Sequence, residues 1–379
     1  MKVLSLFDGM ACGMLAMQKA GIQVERYVAF EIDKYAVQTS SHNFPMIEHR
    51  GDVFQADFNE FKGFDFLVGG SPCTYWSIAQ KNNRETEASG MGWELFSQYV
   101  RALHEAQPMY FIYENNKSMS AAIRASIDQT FGFEAICINS ALVSAQNRQR
   151  LYWVGKRNPD GTYSKVRVEQ PEDRGIYLKD VIDGIDQVTS VGVGYRNRRE
   201  EDGRLYRRFE THNEEKANAL TTVQTDSMVA IPIQQKGLEV LNVNPSGRGI
   251  NGAVIHTNYK SRTLTTNKGE GQKIIFPVPC SSENSAENIY EVRNGCITVK
   301  GKNHRVKLAD GYYCIRKLTV MECMRLQTVP EWYKFPVSNS QAFRLLGNGW
   351  TVDVITILII ATQTNQLADE QLEMWGACV

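Results

Sequence analysis

The chain of 379 residues lacks several features that would narrow its function at once. Its formal net charge is zero, with 42 basic and 42 acidic residues, so the overall field gives no argument for nucleic acid. Its eight cysteines form no Cys-x-x-Cys pair and its six histidines do not cluster, which indicates neither a zinc site nor a disulfide framework. We therefore expect no metal, and a reducing cytoplasm suits the free thiols.

Long hydrophobic runs and targeting signals are also scarce. The N-terminus has a short apolar stretch before Asp8 and no cleavage-site pattern, and the apolar run at 352–361 is interrupted by Asp353. That run is too short to cross a bilayer, so we expect no membrane role. Long heptads are absent and give no sign of a coiled-coil oligomer, and we expect a monomer.

A cysteine follows a predicted buried strand. The mostly apolar residues 64–68 lead into Gly69-Gly70-Ser71-Pro72-Cys73, so the Cys73 thiol is expected where the strand ends and a tight turn begins. Nucleophiles occupy this position in open α/β sheets. A lone cysteine there is more often buried and inert, so the assignment depends on what accompanies it.

Two further elements bring polar groups to the same edge. The strand predicted at 109–113 ends at Glu114, and Arg148 and Arg150 precede the apolar residues 151–154. Each group alone has an ordinary explanation, as a salt-bridged carboxylate or a solvated arginine. Together, a thiol, a carboxylate and two guanidinium groups at one sheet edge predict an active site.

These groups match the needs of methylation at carbon 5 of cytosine. That carbon becomes nucleophilic when a thiolate adds to carbon 6 and an acid protonates nitrogen 3, roles that we assign to Cys73 and Glu114. We expect Arg150 to contact the base oxygen and Arg148 the adjoining phosphate. Because a duplex buries carbon 6 within the base stack, the target base must be flipped out.

Six blocks of residues extend this pattern along the chain. They are Phe7-Asp8-Gly9-Met10-Ala11-Cys12-Gly13, Gly70-Ser71-Pro72-Cys73, Glu114-Asn115-Asn116, Gln146-Asn147-Arg148-Gln149-Arg150, Arg262-Thr263-Leu264-Thr265-Thr266 and Gly347-Asn348-Gly349-Trp350. In kind and order they resemble the C5-cytosine DNA methyltransferase family, in its prokaryotic and phage-like form. Two departures are Asn116, where the family most often has valine, and Tyr75-Trp76, which replaces a polar residue and phenylalanine.

The resemblance implies a fold, a substrate and a methyl donor. The fold class is α/β, a doubly wound Rossmann-like methyltransferase sheet with an inserted, irregular β-rich target-recognition domain. The substrate is a specific sequence in duplex DNA, and the donor is S-adenosylmethionine. A cognate restriction endonuclease is a candidate partner, and the expected location is the cytoplasm of a bacterium or of a phage's host.

The N-terminal residues support this cofactor independently. A strand is predicted at 3–7 and a helix from the turn at 8–13 to Ala20, and the missing Gly-x-Gly-x-x-Gly disfavours a dinucleotide. Glu31 is expected to accept the ribose hydroxyls and Asp52 the adenine amino group. Aromatic contacts to the cofactor and ordinary core packing remain alternatives for two of the residues, Phe7 and Trp350. The predicted cofactor set is Phe7, Asp8, Gly9, Gly13, Glu31, Ile32, Asp52, Val53, Pro72, Asn348 and Trp350.

Changes in sequence pattern predict a catalytic domain at 1–180, a target-recognition domain at 181–312 and a return to the catalytic domain at 313–379. A helix is predicted at 317–326.

In the middle segment, 195–208 interleaves arginine with aromatic residues, which suits DNA contact, although its acidic residues also suit a solvated loop. The polar loop 77–92 is predicted to close over the flipped base, with a plain surface loop as the alternative. The predicted DNA contacts are Ser77, Arg84, Arg196, Arg198, Arg207, Arg262 and Thr265.

Two other functions remain open from the sequence. One is methylation of cytosine in RNA, which can use the same thiol and acid, although a sizeable middle domain favours duplex DNA. The other is a noncatalytic DNA-binding regulatory module, which intact Cys73 and Glu114 argue against.

Overall fold

The computed structural model describes residues 1–77, 84–183, 191–199, 205–211, 216–222, 228–232, 240–242, 253–256, 273–275, 289–299, 301–306 and 308–376. The helices in these ranges are α1 (Cys12–Lys19), α2 (Lys34–Asn43), α3 (Gly90–Ala106), α4 (Ala121–Phe131), α5 (Val320–Leu326), α6 (Asn339–Asn348) and α7 (Val352–Gly376). The strands are β1 (Lys2–Leu6), β2 (Arg26–Phe30), β3 (Glu48–His49), β4 (Phe66–Gly69), β5 (Tyr110–Asn116), β6 (Ile136–Asn139), β7 (Gln146–Asn147), β8 (Gln149–Arg157), β9 (Tyr163–Lys165), β10 (Val191–Arg199), β11 (Leu205–Thr211), β12 (Ala217–Asn218), β13 (Met228–Pro232), β14 (Val240–Asn242), β15 (Ala253–His256), β16 (Lys273–Ile275), β17 (Ile289–Arg293), β18 (Cys296–Val299), β19 (Lys302–Arg305) and β20 (Gly311–Lys317).

The main sheet has the strand order β3-β2-β1-β4-β5-β8-β6, with β9 paired to β8. Strands β1 to β5 are parallel to one another, and β8 is antiparallel to both β5 and β6. Leu6 is in register with Phe30 on one side and with Gly69 on the other, and Gly69 with Tyr113. The residues that follow these four strands therefore meet along one edge of the sheet.

Helices cover both faces of this sheet, which explains why its central strands are apolar on both sides. One core cluster packs the sheet against α1 and α7, and includes Leu15 and Ile355. The other packs it against α3 and α4, and includes Tyr99 and Ile123. This is the doubly wound arrangement predicted from the sequence.

The second sheet is antiparallel, with the order β11-β10-β13-β20-β17-β18-β19 and a core cluster of its own. Its central strand β20 pairs with β13 and β17, so the predicted division between 312 and 313 falls inside a strand of this sheet. The following helix begins at Val320, three residues later than the predicted start. The reason is a capping box, in which Thr319 Oγ1 accepts the Glu322 N–H at 3.2 Å and Glu322 Oε2 accepts the Thr319 N–H at 2.7 Å.

The chain after β20 packs on the main sheet and carries the longest helix, α7. Asp353, which is buried near its start, forms ion pairs with Lys19 and Arg174. Among the described residues, one helical stretch, Asn339–Thr364, is long and apolar enough to cross a membrane by length and composition. Since 67% of its most apolar segment is buried inside the protein, packing in the core explains its composition.

Candidate active site

A cavity of about 190 Å³ opens at the edge where β1, β2, β4 and β5 end. All four predicted catalytic residues, Cys73, Glu114, Arg148 and Arg150, line it. Of the predicted cofactor residues, the cavity lining includes Phe7, Asp8, Gly9, Glu31, Pro72, Asn348 and Trp350, and does not include Gly13, Ile32, Asp52 and Val53. The fold thus joins parts of the sequence that are more than 300 residues apart.

The nucleophile candidate lies in a 3-10 turn, Cys73–Tyr75, directly after β4. The Cys73 carbonyl accepts the N–H groups of Trp76 at 3.1 Å and Ser77 at 3.0 Å, and the Asn116 amide at 3.4 Å. Any side chain at Gly70 would lie 2.7 Å from the Glu114 carbonyl, so glycine is what lets this segment approach β5. The half-buried thiol therefore lines the same cavity as the acid candidate.

Glu114 lies within β5, which continues past the strand end predicted at 113. Its Oε1 is 3.1 Å from Nε of Arg150, and its Oε2 accepts the indole N–H of Trp350 at 2.9 Å. The side chain is 11% exposed. An ion pair on one carboxyl oxygen and a hydrogen bond on the other thus fix the orientation of this group inside the cavity.

Arg148 is buried, and its guanidinium donates to three backbone carbonyls. The acceptors are Leu220 at 3.3 Å, Gly347 at 3.3 Å and Gly349 at 2.9 Å. Burial, with the neighbouring Arg150 charge, lowers the pKa of Arg148 to about 10, so it remains charged at neutral pH. This geometry favours a role in joining three segments at the cavity over the phosphate contact predicted from the sequence.

The side of the cavity that carries the predicted cofactor residues is built around two carboxylates. Glu31 accepts the Gly9 N–H at 2.8 Å and the N–H groups of Ile32 and Asp33, and so ties the turn after β1 to the end of β2. Asp8 Oδ1 accepts the hydroxyls of Ser5 and Tyr27, at 2.6 and 2.7 Å.

The second oxygen of Asp8, Oδ2, is buried and has no hydrogen-bond partner. Burial raises the pKa of Asp8 to about 6, against the lowering effect of its hydroxyl partners. A side chain at Gly13 would lie 2.6 Å from the Tyr27 hydroxyl, so glycine there preserves the Tyr27 contact to Asp8. Cys12 lies next to this group, and burial raises its thiol pKa to about 12, which keeps it neutral, as suits a structural residue.

Several residues of the site were not predicted from the sequence. Asn115 donates to the Ser71 carbonyl at 3.2 Å and to the Tyr113 hydroxyl at 3.2 Å, and Ser71 and Tyr113 share a hydrogen bond of 2.7 Å. The buried Asn115 amide thus stabilises the turn at Ser71 that precedes Cys73. The sequence does offer a signal for Asn115, because it directly follows Glu114. A polar residue at the end of an apolar strand needs a buried partner.

The loop after the nucleophile is anchored on both sides of its undescribed part, 78–83. The Trp76 indole N–H donates to Glu85 Oε2 at 3.1 Å, and the same carboxylate accepts the Gly92 N–H at 3.1 Å. Arg84, a predicted DNA contact, donates to the carbonyls of Trp76 at 3.2 Å and Ser118 at 2.6 Å. Trp76, which departs from the pattern of the family that the sequence resembles, is thus a buried residue that anchors the loop.

Of the other predicted DNA contacts, Ser77 follows the Cys73 turn, where its N–H donates to the Cys73 carbonyl, and three arginines lie in strands of the second sheet. Arg196 and Arg198 are in β10, and Arg207 is in β11, where it is in register with Asn197. Arg262 and Thr265 lie outside the described residues. A different segment of the middle region, 217–222, contacts the site. There β12 pairs with β7, and the backbone of Thr221 lies against Gly347.

Metal ligation has no candidate in the part of the chain that the structure describes, because no group of three or more His, Cys, Asp or Glu side chains stands together there. All described cysteines, Cys73 among them, are free thiols.

Comparisons with known proteins point to one family. A family model for C-5 cytosine-specific DNA methylase matches residues 1–364. Orphan methyltransferase M.SPRI of Bacillus phage SPR is 28% identical, with 94% of this chain and 95% of the relative covered. Type II methyltransferase M1.ScrFI of Lactococcus lactis subsp. cremoris is 25% identical, with 97% and 79% covered.

Solved structures show the same fold. The methyltransferase EhMeth of Entamoeba histolytica aligns with a TM-score of 0.55 at 12% identity, covering 96% of this chain and 98% of that one. A mutant DNMT2 of Spodoptera frugiperda aligns with a TM-score of 0.53 at 17% identity, covering 95% and 99%. These likenesses confirm the predicted fold class.

Proposed function

Because the chain belongs to the C-5 cytosine-specific DNA methylase family, we propose that it flips a cytosine out of a specific duplex DNA sequence and methylates it through covalent attack by Cys73. The chain is a DNA (cytosine-5-)-methyltransferase, and its family implies S-adenosylmethionine as methyl donor. The observation that carries the proposal is the convergence of Cys73, Glu114 and Arg150 on one cavity. Family membership also favours DNA over RNA as substrate.

The residues of the cavity fit S-adenosylmethionine. This donor carries two cationic groups, a sulfonium and an ammonium, and Asp8 offers a buried carboxylate oxygen without a partner. We propose that Asp8 faces a cationic group, that Glu31 holds the ribose and that Phe7 and Trp350 form the apolar walls. Gly13, Ile32, Asp52 and Val53 stand outside the cavity lining, and their predicted contacts with the cofactor, that of Asp52 being with the adenine amino group, remain part of the proposal. When bound, the donor supplies an electrophilic methyl group.

The residues of this chain then perform the addition and the proton transfers. The Cys73 thiolate bonds to carbon 6 of the flipped base while Glu114 gives a proton to nitrogen 3, and carbon 5 becomes nucleophilic. Once carbon 5 carries the methyl group, its proton leaves to solvent and the Cys73 thiolate is eliminated, and the nitrogen 3 proton returns to Glu114. Cysteine is thus a true catalyst, regenerated in each turnover.

Arg150 and Arg148 have different roles in this proposal. Arg150 lies beside Glu114, so its guanidinium is placed to hold the oxygen of a base whose nitrogen 3 faces the acid. Arg148 positions the segments that close the cavity, through the Leu220, Gly347 and Gly349 carbonyls. The DNA contacts of Ser77, Arg84 and the middle-domain arginines remain part of the proposal.

The biological setting follows from the relatives, which are phage and type II methyltransferases. We propose action on DNA in the cytoplasm of a bacterium or of a phage-infected host. A monomeric state, a paired restriction endonuclease and the segment boundaries at 180 and 312 remain predictions.

Covalent trapping tests the proposed mechanism. Duplex DNA with 5-fluorocytosine at every cytosine position cannot lose the substituent at carbon 5, so in the presence of S-adenosylmethionine the adduct with Cys73 should accumulate and survive denaturing electrophoresis. Cys73→Ser should give no adduct. An adduct that forms equally in this variant would contradict the assignment.

A further inference from the structure

We propose that Trp350 is a positioning residue for Glu114, in addition to forming a wall of the cofactor cavity. Its indole N–H donates to Oε2 of Glu114 at 2.9 Å. The inference rests on the proposed function, because it assigns a role in the protonation of nitrogen 3. A single side chain would then set the position of the acid relative to the methyl donor.

The first support is that the two carboxyl oxygens of Glu114 have different partners. Arg150 approaches Oε1 of Glu114 at 3.1 Å, and Trp350 binds Oε2. With Arg150 alone, the carboxyl group would be free to rotate about the bond to its chain, because one ion pair does not fix a plane. A hydrogen-bond donor on the other oxygen restricts that rotation, and a proton donor must be held within hydrogen-bond reach of its target.

The second support is that the backbone carrying Trp350 is itself held rigidly. The carbonyl of Gly349, the preceding residue, accepts hydrogen bonds from Arg148 at 2.9 Å and from Gln327 at 3.3 Å. The hydroxyl of Thr351, the following residue, donates to Gln327 at 2.9 Å and shares a bond of 2.8 Å with Ser140. A positioning group acts only when its own support is fixed, and this one is fixed on both sides.

The third support is the place of the ring. Trp350 lines the cavity together with Asp8 and Glu31, and a side chain at Gly13 would come within 3.8 Å of its six-membered ring. A backbone hydrogen bond also joins Trp350 to the Cys12 thiol, at the start of α1. The indole therefore contacts the cofactor side with its ring and the acid with its N–H.

The test separates the N–H from the ring. Trp350→Phe keeps an aromatic wall and removes the donor, so the dissociation constant for S-adenosylmethionine, measured by calorimetry, should stay within about threefold, while kcat falls roughly 10- to 100-fold, as for loss of one hydrogen bond to a charged group. A second readout needs no cofactor: release of tritium from carbon 5 of labelled cytosine in DNA, which reports Cys73 addition and nitrogen 3 protonation. This release should fall in parallel with kcat.

Trp153→Phe is the matched control. Trp153 is buried and its indole N–H donates to Asp128 Oδ1 at 2.7 Å, a bond of the same kind outside the cavity. This variant should lose thermal stability and keep its kcat and tritium release. Should Trp350→Phe fail to fold, benzothienylalanine placed at position 350 keeps the bicyclic shape and lacks only the N–H.

The outcomes are distinguishable. An active wild type whose Trp350→Phe variant keeps its kcat and tritium release, or loses only cofactor affinity, overturns the positioning role and leaves the proposed function standing. A wild type that neither methylates DNA nor releases tritium overturns both. A parallel loss of kcat and tritium release with cofactor affinity kept supports the inference.

Discussion

Replacing Asp8 with asparagine should stabilise the ligand-free protein at neutral pH and weaken cofactor binding. Asp8 is buried, and one of its carboxyl oxygens has no partner. Burial raises its pKa from 3.8 to about 6, although the Ser5 and Tyr27 hydroxyls lower it. The ionised form is therefore disfavoured in the folded state, and asparagine keeps the shape without the charge.

The sign and size of the effect follow from the raised pKa. Because the unfolded carboxyl ionises near 3.8 and the folded one near 6, stability is lost as the pH rises through this window, and the loss is complete above it. The cost is about 1–2 kcal/mol at pH 5 and about 3 kcal/mol at pH 7. The stability gained by Asp8→Asn over the wild type should thus grow by about 1 kcal/mol between these pH values.

Urea unfolding of both proteins at pH 5 and pH 7 measures this difference, and comparison with the variant cancels every other titrating group. Calorimetry with S-adenosylmethionine gives the opposite effect, since binding of a cation needs the ionised Asp8. Wild-type affinity should fall roughly tenfold from pH 7 to pH 5, in step with the ionised fraction, while that of the variant changes less. A variant that is less stable at pH 7, or whose advantage does not grow with pH, would refute the reasoning.

The remaining predictions concern the catalytic groups and their loop. Cys73→Ser should abolish methyl transfer and retain S-adenosylmethionine binding, as measured by calorimetry. Residual turnover in a clean preparation would contradict the covalent mechanism. Glu114→Gln should lower kcat about 10²- to 10⁴-fold, the usual contribution of a general acid, and an unchanged kcat would move the proton donor elsewhere. Gly92→Ala should cost about 1–3 kcal/mol in thermal unfolding and slow turnover, because its new methyl would lie 2.5 Å from the Trp76 indole nitrogen; a neutral result would show that the loop yields.

Much of the catalytic geometry follows from local sequence rules. Strand periodicity placed Cys73 and Glu114 at one edge of a parallel sheet, because parallel strands of similar length end together. The order of motifs gave the family, and the match over residues 1–364 confirms it. The ends of β1 and β4 are thus readable from the chain to within one residue, whereas β5 runs three residues past its predicted end.

What the sequence could not give depends on contacts between distant segments. From the sequence, the Arg148 side chain is interpreted as a solvated or phosphate-binding group. In the fold it donates hydrogen bonds to the carbonyls of Leu220 and Gly349, which are distant in the sequence. The Trp350 contact to Glu114 joins residues 236 positions apart. Helix α5 was expected three residues early because apolar spacing continues into β20, and only the capping box at Thr319 sets its start.

The most direct test of the central claim is incubation of the purified protein with tritium-labelled S-adenosylmethionine and duplex DNA, with matched RNA in parallel. The modified base is identified by mass spectrometry and its positions by bisulfite sequencing. Methyl groups on carbon 5 of cytosine in duplex DNA, at one recurring sequence, are the predicted result. Label in RNA alone, label on another atom, or DNA that is bound without transfer would contradict the account.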